Sequence, residues 1–279
     1  MSFSLGIMQG RLTPSAGRGI QFFPFDNWEN EFRLAAGIGL NEIEFIFDLD
    51  RFEQNPLWTE SGRARINELI QETGVRVNSI CADFFMRRPF FRVDEATRFD
   101  NIEILKKLIE AVKQISAQTI EIPLVDNSSI KTESEKETLI ASLAPALPVA
   151  QEQGITITLE TDLPPGPFLE LLEDISHPFV KANYDSGNSS GLGYDPYEEI
   201  STLGKFVHNV HIKDRLLGGT TVPLGTGNAN FDKLFQALKE TQYQSSFILQ
   251  AARGEDGKES ETIRGYSDFV NGYIQKYLI

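Results

Sequence analysis

A chain of 279 residues with 41% hydrophobic and 24% charged residues has a globular composition and is long enough to bury a substantial core. Its 40 acidic residues outnumber 26 basic ones, and the net charge of −14 weighs against nucleic acid or an anionic membrane as partner, since a polyanion needs a basic face. One cysteine, Cys81, excludes an internal disulfide; with no leader-like start and no apolar run of about 18 residues, a soluble cytoplasmic protein is expected.

Along the chain, short β-rich segments alternate with amphipathic helical ones. The strands are expected at SLGIMQG (4–10), EIEFIFD (42–48), RVNSICA (76–82), TIEIPLV (119–125), TITLETD (156–162), VKANYDS (180–186), FVHNVHI (206–212) and SFILQAA (246–252). Helical patterns fill the gaps: WENEFRLAAGIG, SGRARINELIQETG, long stretches over 94–116 and 134–154, and a short one over 168–175. One more follows Asp195-Pro196, then FDKLFQALKE, then a C-terminal helix from about residue 261. Asp195 before Pro196 is an N-cap with proline at the first helical position, Asn230 can cap FDKLF, and Gly39, Gly74 and Gly154 stand where helices should stop. Strands alternating with helices imply βαβ units and a parallel sheet. Eight units in this length predict an α/β fold, a single (β/α)8 TIM barrel with a parallel eight-stranded core, as one domain over 1–279. GIMQGRL lacks the G-x-G-x-x-G turn that a doubly wound sheet usually carries.

Active sites of such barrels lie at the C-terminal ends of the strands. The last inward residues of strands five to eight are Glu160, Asp185, His211 and Gln250. Carboxylates and an imidazole around one point suit a divalent metal with open positions for water or substrate. Each has a plainer reading: Asp185 before Ser-Gly-Asn as a turn former, Glu160 as a helix cap, His211 as a hydrogen-bonded core histidine. Three strand ends carrying metal-type groups favour a site.

LETD (159–162), NYDSGN (183–188), NVHIKDR (209–215) and VPLGTGNANF (222–231), in that order, resemble the xylose-isomerase-like TIM barrels. That superfamily holds sugar and sugar-phosphate isomerases and epimerases, and also abasic-site endonucleases. The resemblance implies one divalent ion (Mn²⁺, Zn²⁺ or Mg²⁺), with Glu160, Asp185 and His211 as ligands and Gln250 where a glutamate is expected. It also implies proton transfer beside a carbonyl through a metal-stabilised enediolate, with a sugar or sugar phosphate as partner. Asn188 stands where ketose 3-epimerases often carry a substrate-binding histidine.

Gln250 cannot titrate, so a two-carboxylate epimerisation cannot run as the family writes it. Single-base isomerisation through Glu160 survives, as does epimerisation with Glu44 or Asp83 as second group. A catalytically silent relative that binds a sugar-like ligand is the alternative. Lys213 and Arg215 are expected to polarise a carbonyl or grip an anionic group, with Gln9, Arg11, Asp83, Asn188 and Arg253 as further substrate contacts. The Gly-rich segment 225–230 reads as a plain turn or as backbone N–H groups for a phosphate or sugar hydroxyl. The aromatic loop DFFMRRPFFRV (83–93) reads as a lid or, by slight preference, an oligomer contact, so a homo-oligomer is a possible partner. The endonuclease branch needs several histidines for three metals. The chain has His177, His208 and His211, and strand alternation sets the last two on opposite faces.

Overall fold

A computed structural model describes residues 3–279; residues 1 and 2 of the expected domain lie outside it. Eight parallel strands close into a barrel: β1 (Leu5–Met8), β2 (Glu42–Ile46), β3 (Ser79–Cys81), β4 (Thr119–Leu124), β5 (Thr156–Thr161), β6 (Val180–Asp185), β7 (Val207–Ile212) and β8 (Phe247–Leu249). Each strand pairs with its sequence neighbours, and β8 closes on β1 with Leu5 opposite Phe247. Alternation decides what each strand sends inward. In β2, Ile43 and Phe45 join the apolar layer under the helices, while Glu44 points into the barrel to meet His211.

The helix stops are built as the sequence predicts: Gly39, Gly74 and Gly154 hold left-handed C-caps. Asp195 caps Pro196–Leu203 by accepting from Tyr197 N at 2.9 Å, and Asn230 caps Phe231–Glu240 by accepting from Lys233 N at 3.0 Å. The helix expected over 134–154 is two, Glu133–Leu143 and Leu147–Gln153, because Pro145 has no N–H to continue the ladder. β8 ends at Leu249, so Gln250 sits just past the strand.

Two short helices arise where loops were expected. Ser186–Leu192 follows β6 directly, with Asp185 as its N-cap. Asp83–Arg87 opens the aromatic loop, whose Phe84, Phe85, Phe90 and Phe91 are all buried. Phe85 stacks on Phe90 at 4.9 Å between centroids, and Phe84 on Phe47 at 5.6 Å. Its arginines are engaged in ion pairs, Arg87 with Asp48 and Asp50, Arg88 with Asp100 and Arg92 with Glu135. The four phenylalanines are packed into their own chain and form no exposed aromatic surface, while Asp83 and Met86 of the same loop line the cavity described below. No helix among the described residues is long and apolar enough to cross a membrane.

Candidate metal centre and cavity

The ends of β5, β6 and β7 bring Glu160, Asp185 and His211 together, with one ligand atom of each within 4.8 Å of the others. All three are buried. Asp185 divides its carboxylate. Oδ1 accepts from the N–H groups of Gly187 (2.7 Å) and Asn188 (2.8 Å), capping the short helix, while Oδ2 faces Lys213 Nζ at 3.3 Å. The turn-former reading and the ligand reading of Asp185 therefore describe different oxygens of one group. Glu160 is fixed by two side-chain amides: Asn188 Nδ2 donates to Oε1 and Asn183 Nδ2 to Oε2, both at 2.6 Å.

His211 lies between two carboxylates, Nδ1 3.1 Å from Glu160 and Nε2 2.6 Å from Glu44. Burial opposes its charge, but Glu44 and Glu160 overcome that, and its pKa is raised well above the ordinary value. Glu44 accepts from Asn209 Nδ2 at 3.1 Å through its other oxygen. A carboxylate on the far nitrogen of a metal-facing histidine fixes the ring and its tautomer. The donor set fits a divalent cation: two carboxylates and one imidazole held from behind.

Gln250 faces the same space. Its Oε1 accepts from Lys213 Nζ at 3.2 Å, and its Nε2 donates to Gln21 Oε1 at 3.2 Å. Lys213 Nζ also donates to Asn188 Oδ1 at 3.2 Å. The lysine stem reaches this position because residue 187 is glycine; a Cβ there would lie 2.4 Å from Lys213 Cγ. Arg215 donates to Asn188 Oδ1 at 3.2 Å and to Gly219 O at 2.8 Å, from a small antiparallel hairpin in which Asp214–Arg215 pair with Thr221–Val222.

A cavity of about 370 Å³ opens over these residues, with Glu121, Glu160, Lys213 and Gln250 in its lining. Gln21 and Asp83 form another side, where Gln21 Nε2 donates to Asp83 Oδ2 at 2.6 Å. Burial pushes the Asp83 carboxyl up to about 6. A larger depression of about 770 Å³, between Leu34 and the start of the last helix, lies on the outside and holds none of these groups.

The remaining expected contacts sit differently. Glu44 is in the layer beneath the cavity, behind His211. Gln9 accepts from Ile46 N at 2.9 Å, tying β1 to β2. Arg11 donates to Ala251 O (3.1 Å) and Ile20 O (2.5 Å), and burial followed by the nearby Arg253 pulls its pKa down to about 9. Arg253 donates to Ile20 O and Thr13 O, both at 2.9 Å, and stacks over Phe22. Arg11 and Arg253 are struts for the loop after β1, and the cavity lining holds neither. That loop presents Gln21, which no motif flagged.

Glu121 also escapes motif reading, although TIEIPLV puts it on the inward side of β4. It is 1% exposed, neither of its oxygens has a hydrogen-bond partner, and burial followed by repulsion from Glu160 raises its pKa well above the ordinary value. His208 lies 3.3 Å from Thr119 of β4, a contact that passes through the barrel interior. It therefore shares the inward side with His211, against simple alternation, and the pairing of β6 with β7 shifts register at Ala182/Asn183. Among the described residues, Glu160, Asp185 and His211 form the one cluster of metal-type groups.

The Gly-rich segment is a loop closed on a carboxylate. Asp214, fully buried, accepts from the N–H groups of Gly225 (3.0 Å), Gly227 (2.8 Å) and Ala229 (2.9 Å). A Cβ on residue 227 would meet Asp214 Oδ1 at 2.3 Å. The backbone donors that a phosphate would use are taken by the chain itself.

A family model described as xylose isomerase-like TIM barrel matches residues 32–266. The chain belongs to this family. It is 26% identical over 237 residues to the L-ribulose-5-phosphate 3-epimerase UlaE of Shigella flexneri serotype 5b, covering 80% of this chain and 81% of that one. Among solved structures, the IOLI protein with a bound zinc atom superposes with a TM-score of 0.79 at 20% identity, over 98% of this chain and 99% of that one. The D-psicose 3-epimerase of Clostridium cellulolyticum H10 with D-tagatose superposes with a TM-score of 0.77 at 13% identity, over 97% and 99%. At these identities the two structures speak for the shared fold, a closed (β/α)8 barrel.

Proposed function

We propose that the protein is a divalent-metal-dependent isomerase or epimerase of a sugar or sugar phosphate, moving a proton beside a carbonyl. The observation that carries this reading is the convergence of Glu160, Asp185 and His211 under a cavity, with Glu44 2.6 Å behind the imidazole. Glu160, Asp185 and His211 would hold the ion, Mn²⁺, Zn²⁺ or Mg²⁺, with Gln250 Oε1 as a neutral fourth donor. Bound there, it would supply Lewis-acid polarisation of the substrate carbonyl. Glu160, held by Asn183 and Asn188, is the base that takes the C–H proton. The Lys213 ammonium donates to the oxygen on which negative charge develops. Asp83, on another side of the cavity, is the group for returning a proton in an epimerisation, and its pKa of about 6 suits proton exchange near neutrality.

The relatives support this reading by their named activities, and the solved IOLI protein by its zinc. A second reading, a sugar-binding protein without turnover, is favoured by one observation, the Lys213–Gln250 contact at 3.2 Å where a carboxylate would otherwise complete the ligand set. The test is metal content by mass spectrometry on protein purified without chelator, followed by C–H exchange of ketoses and their phosphates in D₂O. The expected result is about one divalent ion per chain, lost in Asp185→Ala, with exchange that follows loading. In Gln250→Glu, an added carboxylate is expected to tighten Mn²⁺ binding by about tenfold or more. Protein that takes up no metal even from millimolar Mn²⁺ overturns the metal-dependent mechanism. Loaded protein without exchange leaves the binding reading.

A further inference from the structure

We infer that the site takes a free, uncharged sugar and rejects its phosphate ester; this rests on the sugar-processing reading above and narrows it. A phosphate dianion needs several donors that are not already bound, at the end of the cavity away from the reacting carbons. The structure has used the candidates. The nest formed by Gly225, Gly227 and Ala229 is filled by Asp214. Arg87, Arg88 and Arg92 are ion-paired away from the cavity, while Arg11 and Arg253 hold backbone carbonyls. Lys213 lies in the floor beside Asp185, Asn188 and Gln250, where the reading above assigns it to the reacting oxygen and not to a distal phosphate.

Arg215 is the guanidinium in the cavity lining, and Nε, Nη1 and Nη2 all donate within the chain. Asp126 and Asp162 also line the cavity, the latter accepting from Ser129 Oγ through Oδ2 at 2.5 Å. A cation bound at Glu160, Asp185 and His211 would offset the charge of the floor and leave these two carboxylates facing the distal end of the substrate. Ile20, Met86, Val125 and Leu192 add apolar surface to the lining, beside the single hydroxyl of Thr221. Apolar contacts and like charges at that end suit a hydroxymethyl or methyl terminus and oppose a phosphate.

The test compares free ketoses (D-tagatose, L-ribulose, a 6-deoxyketose) with L-ribulose 5-phosphate and D-fructose 6-phosphate. It measures proton exchange in D₂O with Mn²⁺-loaded protein and calorimetric binding of the same compounds. At least one free ketose is expected to exchange, with kcat/KM about a hundredfold or more above the phosphate esters, the size that like-charge juxtaposition gives. Asp126→Asn, whose side chain tolerates the left-handed backbone there (φ 51°), is expected to raise the ester-to-free ratio. A preference for the phosphate esters overturns the inference and leaves the proposed function standing. Binding of a free ketose but no ester, without exchange, supports the inference and overturns the turnover reading. If no free ketose either exchanges or binds, both fall.

Discussion

Asp214→Ala tests whether a carboxylate built into the chain substitutes for a bound anion. The change removes the acceptor for three N–H groups at 3.0, 2.8 and 2.9 Å and leaves them pointing into an anion-sized hollow. A hydrogen bond to a charged group contributes about 1.5–3 kcal/mol. Gly225 is exposed and Gly227 and Ala229 half-buried, so their N–H groups regain water in part. The net loss for the three together is about 3 kcal/mol, or about 6–12 °C in Tm at about 2–4 °C per kcal/mol. Thermal unfolding followed by circular dichroism measures it. The sharper expectation is rescue: acetate at about ten times its dissociation constant should restore about 1.4 kcal/mol to the variant and nothing to the parent. A loss under about 1 kcal/mol, with no response to acetate, would refute the view that Asp214 holds this loop. Asn228 N also donates to Arg215 O at 2.8 Å, so the loosened loop gives up a tether on the Asp214–Arg215 strand as well.

The buried carboxylates give two more expected outcomes. Glu44→Gln removes the negative charge 2.6 Å from His211 Nε2 and should weaken Mn²⁺ binding by about 10–100-fold; a titration giving a Kd within about twofold of the parent contradicts the positioning role. Glu199, packed against Ser189 and Tyr184, is pushed up by burial from 4.5 to about 7. The folded state therefore holds its proton more tightly than the unfolded chain. That contribution, about 3 kcal/mol, is fully present below about 4.5 and lost as pH rises through about 7. Glu199→Gln should flatten the fall of Tm across that window, and an unchanged slope argues that Glu199 is ionised in the fold.

The barrel was legible because its signals are local and repeated. Each strand is a short alternating run, and the helices carry caps or stops that the structure uses. The candidate metal triad was legible for a related reason: a strand end fixes both depth and direction, so Glu160, Asp185 and His211 could be placed together before any contact was known. Residues set by loops were not. Gln21 enters the cavity because Arg11 and Arg253 pull the loop of residues 20–23 inward through Ile20 O, and Arg11 also donates to Gln21 Oε1; no local pattern encodes these bonds. The aromatic loop misled for the opposite reason. Four phenylalanines and three arginines read as an exposed surface until Asp48, Asp50, Asp100 and Glu135 are seen to neutralise the arginines.

What the strand pattern did offer, and only the structure made meaningful, is the layer beneath the cavity. β2, β4, β6 and β7 turn Glu44, Glu121, Asn183 and Asn209 inward, where a barrel built for stability alone would place valine, isoleucine or leucine. Burying ionisable groups costs several kcal/mol each unless they are paired or neutral. Glu44 is offset by His211 and Asn209, and Glu160 by Asn183 and Asn188. Glu121 has no such partner, and burial followed by repulsion from Glu160 raises its pKa well above the ordinary carboxylate range. The same contacts fix the orientation of the His211 ring and of the Glu160 carboxylate. A layer selected only for packing would have no use for that orientation, so its polarity is itself an argument that the groups above it bind and react.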